Sequence, residues 1–283
     1  MNIYGEGELG LLERIKPFLA PGATGDDAAV IGEASGFIVV STDMYVEGVH
    51  FDLGWMTAED VGWRSLALAL GDLAAKGADP AWALVSLALP KTWKVETLSG
   101  LYRGMHSLGQ RYRLAIVGGD MSAIEGPAVI SLTVAGRTDK MPLARSQARP
   151  GWSVAVTGPL GAAAVALRER RPLHLEPRIE EGRRVNALGI VCGDVSDGLV
   201  RELQKFSAMA GIGFILEAAD VLRAPGASIE EALASGEEAE LVCVGPEDAV
   251  RKAGLQVVGR STVEAEVLVV GSELETTGYD HFA

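Results

Sequence analysis

The chain is 283 residues long, and 38 Asp and Glu against 25 Lys and Arg give it a formal net charge of −13 at pH 7. This acidic balance argues against nucleic acid and anionic membrane surfaces as direct partners, because phosphate contacts need Lys and Arg. The length suits two domains, and 48% apolar with 22% charged residues is a globular composition. A phosphate-bearing ligand fits this charge only if metal cations lie between the two sets of negative groups.

The cellular compartment is predicted from what the sequence lacks. The opening MNIYGEGELG has no basic segment followed by an apolar one, so we expect no signal peptide. The longest uncharged stretch, 151–167, contains Gly and Pro and falls short of the roughly 20 residues of a membrane span. Cys192 and Cys243 lie in apolar runs without CxxC spacing, which favours buried free thiols. We expect a soluble cytoplasmic protein.

The first elements are a helix and two strands. Apolar residues at helical spacing predict a short amphipathic helix over 9–19. Strands are predicted at GDDAAVI (25–31) and FIVVSTD (37–43), divided by the turn-rich GEASG. GEGELG (5–10) matches the dinucleotide pattern GxGxxG, but no strand precedes it, so we set that interpretation aside.

A longer helix follows over 57–77. Thr57 is a suitable N-cap with Asp60 three residues on, and Gly77 is a suitable stop. The remainder of this half is predicted as a strand, a helix and two further strands, over 82–90, 95–112, 114–120 and 128–137.

A domain boundary is predicted where the apolar periodicity stops, between Thr138 and Gly151. The chain then divides into domains 1–138 and 139–283, and both halves alternate strands with helices. In the second half we predict strands at 153–158, 189–194, 211–216, 240–245 and 266–271, and helices over 161–170 and from about Ser196.

Aspartates recur beside glycine where predicted strands begin or end. Asp72 places a charge in an otherwise apolar helix, which is energetically unfavourable unless the charge has a partner. Any one of them alone is more simply a turn former or cap, and Ser196 and Asp197 suit an N-cap and first turn. Together they favour a hard-cation site, because Mg²⁺ takes oxygen ligands and bridges carboxylates to phosphates. The set is Asp26, Asp27, Asp43, Asp72, Asp120, Asp194 and Asp197.

Other motifs are open to simpler interpretations. His50 alone is most simply a core histidine that donates to a backbone carbonyl. TGPLGAAAVAL (157–167) is more simply a strand–turn–helix junction than a phosphate loop. GYDHF (278–282) favours a docked tail, because two aromatic and two polar side chains within five residues are unusual for a frayed end. Walker A and protein-kinase signatures are absent, so any ATP would be held through metal and backbone.

Nine motifs, in this order, resemble the thiamine-monophosphate kinase family of the aminoimidazole-ribonucleotide synthetase-like ATP enzymes. Single motifs such as GGD are weak, but nine in register across nearly the whole chain are specific. They are GDDAAV (25–30), STDMYVEGVHF (41–51), GDLAAKGADP (71–80), VGGD (117–120), ARSQARPG (144–151), VTGPLG (156–161), GDVSDGL (193–199), SGEEAEL (235–241) and GYDHF (278–282).

The resemblance implies transfer of the γ-phosphate of ATP to thiamine monophosphate, giving thiamine diphosphate and ADP, with several Mg²⁺ ions. It implies an α/β (α+β) fold of two domains: an N-terminal ATP, Mg²⁺ and dimerisation domain, whose sheet contributes to a dimer-interface β-barrel, and a second α+β domain that completes the active site. A homodimer is expected. No protein nucleophile is implied, because the acceptor is a phosphate oxygen of the substrate.

The resemblance also implies site residues. Metal ligands would be Asp27, Ser41, Thr42, Asp43, Asp72, Asp120, Asp194 and Asp197. ATP would contact Gly119, Asp120, Arg145 and Ser196. Thiamine monophosphate would contact His50, Glu237 and Tyr279.

The sequence departs from the family pattern at Ala69, Gly71, Met121 and Glu238-Ala239, which bears on metal geometry and pocket shape. Two alternatives stay open. One is another enzyme of the superfamily with a different acceptor, although EGVHF, SGEEAEL and GYDHF favour the thiamine substrate. The other is a catalytically silent nucleotide- or metal-binding homologue, which the retained aspartates disfavour.

Overall fold

Two β-sheets organise the chain in a computed structural model that describes residues 26–274 and 277–282. The helix predicted over 9–19 and the GEGELG segment lie outside these residues. The first sheet contains β1 (Ala29–Gly32), β2 (Phe37–Val46), β3 (Asp79–Pro90), β4 (Ala115–Ile124) and β5 (Val129–Thr138). The strand order is β1–β2–β5–β3–β4, with every neighbouring pair antiparallel except β3 and β4.

One face of this sheet is covered by α1 (Ala58–Ala75) and α2 (Val95–Arg111). The predicted N-cap of α1 is confirmed: the Asp60 N–H donates to Thr57 Oγ1 at 3.1 Å, and the Thr57 N–H donates to the Asp60 carboxylate. Gly62 and Gly104 let the two helices cross closely, since a Cβ on either would lie 1.9 Å from a carbonyl oxygen of the other helix.

The opposite face of the first sheet is open to solvent. Met44 on β2 and Leu84 on β3 are 60% and 38% exposed. Residues paired across neighbouring strands point to the same face. Asp120 on β4 therefore shares this face with Ser86, Ser131 and Met44, which form one row across the sheet.

Residues 139–274 form a six-stranded sheet with five helices. Its strands are β6 (Ser153–Val156), β7 (Val191–Asp194), β8 (Gly213–Glu217), β9 (Leu241–Gly245), β10 (Gln256–Thr262) and β11 (Val267–Val270), in the order β11–β8–β10–β6–β9–β7. Only β8 and β11 pair in parallel. The helices are α3 (Ala162–Glu169), α4 (Ile179–Ala187), α5 (Leu199–Ala210), α6 (Ile229–Ala234) and α7 (Glu247–Ala253), and 3₁₀ turns span Arg145–Gln147 and Ala218–Asp220.

The cysteine prediction is confirmed, because Cys192 and Cys243 are buried free thiols. They lie opposite each other on β7 and β9 in a core that also includes α1 and β3. A separate apolar cluster around Phe206 and Phe214 packs α5 against the second sheet. Within residues 26–274 and 277–282, neither sheet closes into a barrel and no helix has the length and apolarity to span a membrane.

Some predicted boundaries were wrong. Asp43 and Asp120 lie inside β2 and β4, not at strand ends. The helix predicted from about Ser196 begins at Leu199, and its N-cap is Gly198 at φ 110°. A side chain there would meet the Ala234 carbonyl, which explains the glycine. Strand β10 and helices α4, α6 and α7 were not predicted.

Candidate active site

A cavity of about 980 Å³ lies between β2, α1 and α3, the loops that follow β7 and precede β9, and residues 278–281 near the C-terminus. The structure therefore brings together residues that are far apart in sequence, including Thr42, Asp43, Asp194 and Glu237. The cavity is lined by carboxylates and by several aromatic side chains.

Three carboxylates converge beside this cavity. Asp27 precedes β1, Asp72 lies in the last turn of α1, and Asp194 ends β7; each offers a carboxylate oxygen, and these oxygens all lie within 4.8 Å of one another. Ser41 on β2 donates its hydroxyl to Asp72 and lies 3.1 Å from the Asp27 carbonyl oxygen. Gly71 leaves room for the cluster, because a Cβ there would lie 3.2 Å from Asp194 Oδ2.

Asp43 lies on the helix-covered face of β2 and accepts a 2.9 Å hydrogen bond from the Tyr45 hydroxyl. Burial raises the pKa of Asp43, and the Asp197 carboxylate raises it further. Burial also raises the pKa of Asp72 and Asp194, and neighbouring carboxylates add to both shifts. The negative charge of these three groups is therefore incompletely matched by the protein.

Asp27 differs from the other carboxylates in the cluster. Its Oδ1 pairs with Arg145, and its Oδ2 lies 2.8 Å from Lys76 Nζ. Burial alone would raise the pKa of Asp27, but the Arg145 guanidinium and the Lys76 ammonium lower it well below its usual range. The two buried cations therefore stabilise the ionised form of Asp27.

Sequence reasoning missed Glu202, a fully buried carboxylate on α5. It accepts hydrogen bonds from Arg145 at 2.8 Å, Ser196 at 3.0 Å and Lys205 at 2.7 Å. Lys205 also donates to Asp197 at 2.6 Å, so Ser196 and Asp197 are fixed through Glu202 and Lys205. The sequence did contain a signal for Glu202. It immediately precedes Leu203 and lies on the apolar face of the helix, where a charged residue is unusual.

The loop before β9 presents Glu237 to the cavity. Glu237 adopts φ 56°, a left-handed conformation that is uncommon for a residue with a side chain. Its N–H donates to the Ser196 carbonyl at 2.7 Å, and its carboxylate accepts from Arg64 of α1 at 2.6 Å. Arg64 is a further cavity residue that sequence reasoning did not single out.

His50 and the C-terminal tail form an aromatic group at the cavity. His50 Nδ1 accepts the Val46 N–H at 3.0 Å, so His50 does not donate to a carbonyl from that nitrogen. Its ring lies 5.2 Å from that of His281, which lies 4.7 Å from Tyr279. Burial lowers the pKa of His50.

The tail is docked, as predicted. The Tyr279 N–H donates to the Asp197 carbonyl at 3.1 Å, and Arg201 pairs with Asp280 at 2.7 Å. Gly278 has φ 141° and lies so close to Asp197 that a Cβ would meet its carbonyl at 2.4 Å. These contacts hold Tyr279 and His281 against the cavity.

The structure does not bring Gly119 and Asp120 to this cluster within one chain. Both lie on β4, three strand positions away from β2 in the sheet. This corresponds to about 14 Å at the usual spacing between strands. Asp120 also points to the open face, whereas Asp43 points toward α1.

The donor set suits a hard divalent cation. The clustered carboxylates and the nearby Ser41 hydroxyl are oxygen donors, which Mg²⁺ prefers, whereas the Thr42 hydroxyl lies 3.1 Å from that of Thr133 on the open face. The raised pKa values of Asp72 and Asp194 indicate unmatched charge that a bound cation would neutralise. The residues present therefore fit a Mg²⁺ site.

Comparison with known proteins identifies the family. The family model described as AIR synthase related protein, N-terminal domain, matches residues 25–138. The thiamine-monophosphate kinase of Aquifex aeolicus is 30% identical and aligns over 100% of both chains. The chain belongs to the thiamine-monophosphate kinase family. The thiamine-monophosphate kinase of Rhodopirellula baltica is 36% identical over 80% of this chain and 76% of its own length.

The fold agrees with this family. A solved structure described as AaThiL complexed with AMPPCP and TMP matches with a TM-score of 0.88 and 29% identity, covering 98% of this chain and 97% of that chain. The mixed α/β fold that the resemblance implied is therefore confirmed, and the structure shows it as two sheets packed with helices.

The structure shows where the residues that depart from the family pattern lie. Ala69 is buried in α1, and Met121 is half exposed on β4. Glu238 accepts the Gly161 and Ala163 N–H groups at 2.9 and 3.1 Å, so it ties the loop before β9 to the start of α3. Ala239 is buried beside it.

Proposed function

We propose that the chain transfers the γ-phosphate of ATP to thiamine monophosphate, producing thiamine diphosphate and ADP. The observation that carries this proposal is that one cavity brings the buried carboxylates Asp43, Asp72 and Asp194 together with His50 and Glu237. Family membership supports the reaction. The related AaThiL structure contains AMPPCP, an ATP analogue, and TMP, which supports both substrates.

The proposed step is a direct in-line transfer. An oxygen of the thiamine phosphate forms a bond to the γ-phosphorus while the bond from that phosphorus to the β–γ bridging oxygen breaks and ADP leaves. The acceptor oxygen is already ionised at neutral pH, so no protein base or covalent intermediate is required. The protein's task is to position two anions and offset their repulsion.

Mg²⁺, when bound at these carboxylates, would supply positive charge that offsets the repulsion between them and the polyphosphate. The predicted ligand set remains Asp27, Ser41, Thr42, Asp43, Asp72, Asp120, Asp194 and Asp197. The chain contributes its own cation through Lys205, which lines the cavity beside Asp197 and Ser196. Arg145 is buried and paired with Asp27 and Glu202, so we propose that it supports ATP binding through these carboxylates.

His50, Glu237 and Tyr279 would hold thiamine monophosphate. The Tyr279 and His281 rings offer apolar faces to the heterocycles, and Glu237 offers a carboxylate to the positively charged thiazolium. Arg64 fixes the direction of that carboxylate.

We further propose a cytoplasmic homodimer, with residues 1–138 as the ATP, Mg²⁺ and dimerisation domain and residues 139–283 completing the site. The open face of the first sheet, with Met44 and Leu84 exposed, would join its partner in a barrel. Gly119 and Asp120 would then reach ATP at the interface. A monomer at micromolar concentration in a sizing experiment would contradict this assembly.

The direct test combines ATP, Mg²⁺ and thiamine monophosphate and follows thiamine diphosphate by its oxidised fluorescent product. Metal-free, Asp72→Asn and Asp120→Asn reactions run beside it, with Asp79→Asn as a matched control because its carboxylate is 60% exposed. Product that requires Mg²⁺ and Asp72 supports the proposal. ATP binding without product would indicate a different acceptor or a silent homologue.

A further inference from the structure

Lys76 is fully buried, and its ammonium lies directly beside the acidic cluster. Nζ is 2.5 Å from Asp26 Oδ1, 2.8 Å from Asp27 Oδ2 and 3.5 Å from the Leu143 carbonyl oxygen. An ammonium group removed from water needs carboxylate partners to stay charged. Lys76 lies one helical turn after Asp72, so both side chains leave α1 on the same side.

The charge of Asp27 is matched within the protein. Arg145 and Lys76 take one oxygen each, and both cations are buried. Asp72 and Asp194 each place a carboxylate oxygen within 4.8 Å of one of Asp27, and Asp72 accepts a hydrogen bond from the neutral Ser41 hydroxyl. The cluster thus contains one carboxylate that two buried cations already neutralise and two further carboxylates beside it.

We propose that Lys76 is a built-in cation that takes the place of one divalent ion at Asp26 and Asp27, leaving Asp43, Asp72 and Asp194 to hold the metal. This inference rests on the proposed function and revises the predicted role of Asp27 from metal ligand to partner of Lys76. The ammonium repels a divalent ion brought to the same oxygens. Because it is covalently attached, its charge is present at any Mg²⁺ concentration.

The test counts bound metal directly, without turnover. Mn²⁺ replaces Mg²⁺, AMPPCP replaces ATP, and electron paramagnetic resonance gives the number of Mn²⁺ ions bound per chain. Lys76→Met removes the ammonium and keeps an unbranched apolar side chain. We expect this variant to bind one more Mn²⁺ per chain than the wild type. An equal number would overturn the inference.

A double variant tests the same idea with the net charge unchanged. Asp27→Asn/Lys76→Met removes one negative and one positive group, and we expect it to bind the wild-type number of Mn²⁺ ions. One ion fewer would identify Asp27 as a metal ligand and overturn the inference even if Lys76→Met alone fails to fold. Lys91→Met is the matched control, because Lys91 is 76% exposed and should leave the count unchanged.

The same measurement separates this inference from the proposed function. A wild-type chain that binds no Mn²⁺ with AMPPCP would contradict the kinase proposal itself. A wild-type chain that binds Mn²⁺ in the same number as Lys76→Met would contradict only the role of Lys76.

Discussion

Arg64 of α1 donates to the Glu237 carboxylate at 2.6 Å, although the two residues are 173 positions apart. The pair joins the helix that covers the first sheet to the loop that precedes β9 in the second. Only 11% of the Arg64 side chain and 33% of the Glu237 side chain are exposed. Because Glu237 already has an uncommon backbone conformation, we infer that Arg64 positions its carboxylate for the substrate.

Replacing Arg64 with Met should weaken binding of thiamine monophosphate. Loss of a hydrogen-bonded charged partner costs on the order of 1–3 kcal/mol, so KM should rise roughly 5- to 150-fold. The measurement is a steady-state titration of thiamine monophosphate at saturating ATP and Mg²⁺. Arg103→Met is the control, since its ion pair with Glu59 is exposed and should matter little. A folded Arg64→Met enzyme with KM within twofold of wild type would rule out the positioning role.

Removal of Mg²⁺ should destabilise the wild-type chain more than an Asp72→Asn variant. The buried Asp72 carboxylate faces neighbouring carboxylates, so without metal its charge opposes folding. At pH 7.5, Asp72→Asn should therefore melt at a higher temperature than wild type in EDTA. Saturating Mg²⁺ should raise the wild-type Tm by about 5 °C or more and raise the variant's Tm by less.

Calorimetric scans of both proteins, with EDTA and with Mg²⁺, check this expectation. Asp79→Asn provides the comparison for loss of an exposed carboxylate. Equal Mg²⁺ shifts in wild type and Asp72→Asn would show that Asp72 does not contribute to the metal site.

Local patterns predicted much of this fold, because capping and apolar spacing act within a few residues. The start of α1 at Thr57 and the end of β7 at Asp194 are examples. Strand order is a long-range property, and together with the opposite facing of the two side chains it separates Asp120 from Asp43. The contacts of Lys76 and Glu202 also escaped prediction, because their partners come from other elements and only tertiary packing sets those distances.

The stability of the protein should depend on pH through Glu238. Burial raises its pKa from the usual 4.5 to about 6, although the Ala163 N–H, Ser235 and the Gly161 N–H hydrogen bonds act in the opposite direction. A carboxyl group with a raised pKa contributes stability that is fully present below about 4.5 and is lost as pH rises through about 6. The shift corresponds to about 2 kcal/mol.

Glu238→Gln cannot titrate in this range. Its free energy of unfolding relative to wild type should therefore increase by about 2 kcal/mol between acidic pH near 4.5 and pH near 7.5. Urea denaturation at the two pH values gives this difference. Glu247→Gln, whose side chain is 68% exposed, should show almost none. A pH-independent difference for Glu238→Gln would refute the linkage.

The docked tail should contribute to recognition of thiamine monophosphate, and an ion pair with α5 helps to hold it in place. Arg201 of α5 holds Asp280 at 2.7 Å, and both side chains are largely buried, at 17% and 13% exposure. Asp280 lies between Tyr279 and His281, whose rings line the cavity. Arg201→Met should loosen the tail while leaving the acidic cluster on other elements in place.

We therefore expect Arg201→Met to raise KM for thiamine monophosphate several-fold and to leave the affinity for AMPPCP with Mg²⁺ within twofold of wild type. The two values come from steady-state kinetics and from calorimetric titration. Arg251→Met, which removes an exposed pair with Glu247 on α7, controls for loss of one arginine. Because only the substrate site includes the tail, equal weakening of both ligands would mean that Arg201 supports the whole domain rather than Tyr279 and His281.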